Sequence, residues 1–136
     1  MRSQAADARP LLDTASDLVS WVEPDSGVIR VIGKGVWTPA DVEIHFAALH
    51  QLMAGRRAAK APVLVLVDLT QSSVQESAIA DRIGRATTRV YEESDRVAVV
   101  VTSCLLKMQM KRVVDVANLE FFISHNAARI WLLAYA

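Results

Sequence analysis

A single cysteine in 136 residues leaves no partner for an internal disulfide and no set for a multi-cysteine metal site. Proline and glycine are also sparse, at four and five residues, which excludes collagen-like and low-complexity chains. Neither sign of charge dominates: fifteen basic side chains face fifteen acidic ones, so there is no global footprint for nucleic acid and room only for a local basic face. No apolar run approaches the ~20 residues of a membrane span. The opening "MRSQAADARP" has no signal-peptide core, and the expectation is a soluble, cytoplasmic protein. What the chain does have is apolar mass. At 52% hydrophobic and 22% charged, it can fill one interior of ordinary density, and disorder is excluded.

Along the chain, residues 1 to 12 read as a flexible arm and residues 13 to 136 as a single domain. In "LVSWVEPDSGVIRVIGKGVW" the turn residues Pro24, Asp25, Ser26 and Gly27 separate two β-prone runs, the pattern of a hairpin. Gly33 and Gly35 then interrupt the second run, as at a bulge or twist. "WTPADVEIHFAALHQLMAG" starts like a helix, with Thr38 as cap, Pro39 at the first position and Asp41 completing a capping box. Val42, Phe46, Leu49 and Met53 form its apolar stripe, and Gly55 marks the expected stop. "PVLVLVDL" and "DRVAVVVT" are too uniformly apolar for half-exposed strands and belong in the middle of a sheet. Between them Ile79, Ile83, Ala86 and Val90 outline a crossover helix. A third helix from about Leu105 to Ala117, a strand "EFFIS" and a closing helix "HNAARIWLLAY" complete the order β-β-α-β-α-β-α-β-α. That order implies an α/β fold with a mixed, mainly parallel sheet, an opening hairpin and four helices, with ligands near the carboxyl ends of the strands.

The hairpin leading to "GVWTPADVE", "VLVDL" before a polar turn, "RVAVVV" and the closing "FFISHNAARIWL" together resemble STAS domains, and more closely the SpoIIAA-like proteins, over residues 19 to 135. The resemblance implies a small non-enzymatic domain without cofactors. It also implies a partner kinase or sigma-regulating protein, or, in the SpoIIAA-like branch, apolar small molecules and membrane association. In the phosphoacceptor segment of such antagonists, "DLTQSSVQESAI" keeps the aspartate as Asp68 and places Glu76 and Ser77 at the acid-serine position. Ser77 is thus the candidate phosphorylation site. Ala78 and Ile79, however, replace the second hydroxyl and the glycine that admits a kinase.

Candidate ligand-binding residues at this edge are Asp68, Thr70, Ser72, Ile79, Ile83, Cys104, Leu106 and Met110. Asp68 is also the residue type that closes a local turn, and Cys104 suits burial as a small apolar group. On the third helix Met108 falls roughly 160° from the core stripe of Leu106, Met110, Val113 and Ala117. It lies there beside Lys107, Lys111 and Arg112, a surface fit for anionic headgroups or a flexible apolar partner. Asp81 with Arg85 and Arg89 with Glu93 are spaced as ion pairs on the second helix. His45 and His50, five residues apart, cannot share a metal from one helix face. The functional expectation is a non-catalytic domain that binds an apolar small molecule or lipid, with a membrane surface or a regulatory protein as its other partner and no nucleic acid.

Overall fold

The computed structural model describes residues 17–134; the expected arm, residues 1 to 12, lies outside them. The hairpin forms as strands β1 (Leu18–Val22) and β2 (Ile29–Gly35). Gly27 turns the chain at φ +76°, a conformation that favours glycine. Helix α1 (Pro39–Ala58), strand β3 (Leu64–Ser72), helix α2 (Ser77–Val90), strand β4 (Arg96–Val100), helix α3 (Cys104–Val113), strand β5 (Leu119–Phe122) and helix α4 (His125–Leu133) follow. The order is the one the sequence implies.

The sheet runs β1-β2-β3-β4-β5, with β1 antiparallel to β2 and every other pair parallel. Because β2 to β5 lie in sequence order, three crossovers of one hand must put α1, α2 and α3 on the same face. The core follows that rule. Val31, Val65, Val99 and Met53 pack together with Leu106 on the three-helix side, whereas Leu64, Leu66, Ala98 and Val100 meet Ala128 and Leu132 of α4 on the other. β3 is therefore covered on both faces, as its composition demands.

Register breaks between Ile32 and Lys34, the bulge foreshadowed by the glycines. A Cβ on Gly33 would lie 2.7 Å from the Trp37 ring, so the close approach of that indole requires glycine. The boundaries that differ from expectation include two helix ends. α1 runs past Gly55 to Ala58, and the left-handed exit is made by Lys60 at φ 59°. α3 ends at Val113 rather than near Ala117, because the chain turns extended at Val114 to reach β5.

Ion pairs fasten the elements. Arg57 of α1 holds Asp95 at 2.6 Å and Glu92 at 3.0 Å, at the entrance to β4. The pairs Asp81 with Arg85 and Arg89 with Glu93 do not form among the described residues; Arg82 instead reaches Glu43 on α1 at 3.7 Å. A pair along one exposed helix contributes only about 0.3–0.5 kcal/mol, too little to hold two long side chains in one geometry. Under α4, the buried Glu23 accepts bonds from Arg129, from Arg30 at 3.1 Å and from Ser26 at 2.5 Å.

Candidate functional site

The polar run after "VLVLV" is strand before it is loop. β3 continues to Ser72, so Asp68 lies four residues before its end, level with Val100, where β4 stops. Asp68 Oδ1 accepts from the backbone N–H of Thr70 at 2.9 Å and from its hydroxyl at 2.7 Å, a closed local arrangement. Ser72 is buried and its hydroxyl has no partner. Ser77 is the exposed first residue of α2, and no side chain caps that helix. Caps do occur at α3 and α4, where Ser103 and Ser124 each accept from the N–H three residues on, at 3.1 Å. Cys104, just inside α3, is exposed, contrary to the expected burial. It occupies the first helical turn beside its cap, two residues before the fully buried Leu106.

Two glutamines, unremarked in the sequence, organise this edge. Gln75 is buried in the loop between β3 and α2 and accepts from the N–H of Trp37 at 2.9 Å. Its amide donates to the carbonyls of Gly35 and Ser73, at 3.0 and 2.7 Å. Its own backbone is bonded twice by Gln109 of α3, N–H to Oε1 at 2.9 Å and carbonyl to Nε2 at 2.7 Å. The loop before Ser77 is thus tied to α3 and to the start of α1.

Beneath this clasp, between the sheet and the helices α1, α2 and α3, lies a cavity of about 80 Å³ within a recess of about 650 Å³ that includes space open to solvent. Strand residues such as Val31, Val67, Val99 and Phe121 form its floor, and Trp37, His45, Phe46, Ile83, Tyr91 and Met110 close over it. No lining side chain is charged. Of the eight expected ligand residues the lining includes Ile83 and Met110; Ile79 and Leu106 are core around it, and Asp68, Thr70, Ser72 and Cys104 lie outside it.

His45 is the chemically distinctive member. It is buried, its ring stands edge-on to Phe46 at 4.8 Å between centroids, and its Nδ1 has no partner. Burial away from water disfavours the imidazolium and lowers its pKa from 6.5 to about 4, so the ring is neutral near pH 7. Burial, reinforced by the charge of Asp95, likewise pushes the Tyr91 phenol well above its ordinary value. Among the described residues no group of three or more histidine, cysteine or acidic side chains could hold a metal ion, and no helix is long and apolar enough to cross a membrane.

On the outer side of α3, Leu105 and Met108 are 68% and 61% exposed, with Lys111 and Arg112 also exposed and Lys107 half-buried. Met108 stands where helical spacing puts it; Leu105 enlarges the apolar patch.

No family model matches the sequence, and no curated protein matches it either. Among solved structures the chain is similar to an uncharacterized protein of the DUF3478 family with a SpoIIAA-like fold, from Shewanella loihica PV-4. Identity is 20%, the alignment covers 85% of this chain and 91% of that one, and the TM-score is 0.63. With the strand order and the division of helices between the two faces, this likeness shows that the chain has a SpoIIAA-like α/β fold.

Proposed function

We propose that this SpoIIAA-like domain is a non-catalytic binding module that takes an apolar small molecule, or the apolar end of a lipid, between its sheet and α1, α2 and α3. The uncharged, almost wholly apolar lining of the cavity carries the reading. At about 80 Å³, the inner cavity is roughly half the ~150 Å³ that admits benzene, so it holds a short apolar group, with the rest of a ligand in the recess around it. A larger ligand must displace a helix. α3 is the helix to move: it is ten residues long and bears the adaptable Met110 on the cavity, and its displacement has to break the Gln75–Gln109 clasp at its middle.

Native mass spectrometry of protein freshly isolated without detergent tests the reading. A bound species released on denaturation is expected; a purely apo spectrum, combined with no uptake of added alkanes or alcohols, refutes it. The exposed Leu105 and Met108 beside Lys107, Lys111 and Arg112 favour a second surface, peripheral contact with anionic membrane, through which a lipid would be delivered. Met108→Glu then lowers co-sedimentation with anionic vesicles in low salt, and unchanged sedimentation removes the membrane face.

A further inference from the structure

The cavity's polar atoms are unevenly provided for. The indole N–H of Trp37 donates to the Lys34 carbonyl at 2.9 Å, and the hydroxyl of Thr87 to the Gly84 carbonyl at 2.8 Å. His45 also lines the cavity, yet its Nδ1 is buried and meets no hydrogen-bonding partner among the described residues. Desolvation alone perturbs His45, with no donor, acceptor or charge to compensate. A buried polar group left in this condition calls for a partner beyond the described residues. The ring offers one donor and one acceptor in its neutral form.

Resting on the reading of the cavity as an apolar ligand site, we propose that its ligand is a neutral molecule with an apolar body and one hydroxyl group, an alcohol or phenol, hydrogen-bonded to His45. A hydroxyl both donates and accepts, so it fits either tautomer of the imidazole. An alkane of the same shape leaves the ring unsatisfied. A carboxylate would enter a space whose walls hold no cation, and would lose its hydration without a compensating charge. The chemistry of the walls therefore selects for polarity without charge.

Titrations of the isotopically labelled full chain with 1-pentanol, pentane and pentanoate at pH 7 test the assignment by NMR. The expected result is that 1-pentanol binds at least as tightly as pentane and at least tenfold more tightly than pentanoate, and that it shifts the ring nitrogen resonances of His45 while pentane does not. His45→Leu is expected to weaken 1-pentanol about tenfold relative to pentane, and His45→Gln to restore most of the loss. Should the leucine variant not fold, the ring nitrogen shifts of the wild type still decide. Binding of 1-pentanol without a shift at His45, or of pentanoate as tightly as 1-pentanol, overturns the hydroxyl assignment and leaves the apolar site standing. Binding of none of the three overturns both.

Discussion

His45 falls on the stripe of α1 that buries Val42, Leu49 and Met53, at helical spacing from each. The stripe read from the sequence is Val42, Phe46, Leu49 and Met53; the structure buries His45 in that row and leaves Phe46 only partly buried, because apolarity marks a face and not which neighbour turns fully inward. The titration has a sign. With a folded pKa near 4 and an unfolded value of 6.5, the unfolded chain binds the extra proton between those limits, so stability falls as pH drops from 6.5 to 4. The loss is on the order of 3 kcal/mol. Denaturant unfolding of wild type and His45→Phe at pH 7 and pH 4 isolates it: the wild type should lose more stability on acidification, and equal losses would show a ring that protonates freely in the fold. Ser77 is the opposite kind of residue, exposed and uncommitted to any cap. Ser77→Ala should change stability by less than about 0.5 kcal/mol, and the loop before it, bound to Gln109 and Trp37, resists the extension that a kinase cleft requires. Stoichiometric phosphorylation of Ser77 by any co-expressed kinase would contradict this. Gln75 itself was illegible, because its partners lie 34 and 38 residues away in sequence and nothing local distinguishes it from its polar neighbours.

Elements were easier to read than their ends. Apolar periodicity fixes where a helix must bury a stripe, and Thr38 with Asp41 forms the capping box that the local pattern spells out. Termination depends on what the chain meets next. α1 passes Gly55, whose surroundings are open, and β3 outruns its apolar core to pair Gln71 and Ser72 with Lys34 and Gly35 beyond the bulge. The crossing of α2 and α3 also turns on one residue. A Cβ on Gly84 would lie 2.2 Å from the carbonyl oxygen of Val113, a contact with backbone that no rotamer relieves. Gly84→Ala should thus push α3 outward and destabilise the fold by about 1–3 kcal/mol, despite the better helix propensity of alanine. Hydrogen exchange locates the damage: protection is expected to fall in residues 104–113 while the 64–68 stretch of β3 remains protected. An unchanged exchange pattern would mean that the two helices separate without cost, and would support an easily displaced α3.

At the scale of the whole molecule, the two faces of the sheet are held differently. Among the described residues three helices cover one side and leave the cavity, whereas α4 is docked on the other, by Ala128 and Leu132 and by Arg129 reaching the buried Glu23. Glu23 directly follows β1, so its bonds to Arg30 of β2, to Ser26 of the turn and to Arg129 join the opening hairpin to α4. Burial alone would raise the pKa of Glu23, but the hydrogen bonds from Arg129, Ser26 and Arg30 outweigh it and hold the carboxyl below its ordinary value of 4.5. A lowered folded pKa means that the carboxylate's contribution is complete above pH 4.5 and is lost as pH falls through the folded value. Replacing the acid removes the carboxylate charge from both Arg129 and the buried Arg30, which stacks 5.3 Å from the Trp21 ring. Glu23→Gln is therefore expected to cost about 3–5 kcal/mol at pH 7. That corresponds to a fall in Tm on the order of 10–20 °C for a domain of this size. It should also remove part of the acid sensitivity, so that the two proteins converge as pH falls through the lowered folded value of the carboxyl. Thermal melts of both across pH 3 to 7 decide the point. Parallel curves with a small constant offset would mean that the carboxylate is solvated, and that apolar contacts alone hold α4 to the sheet.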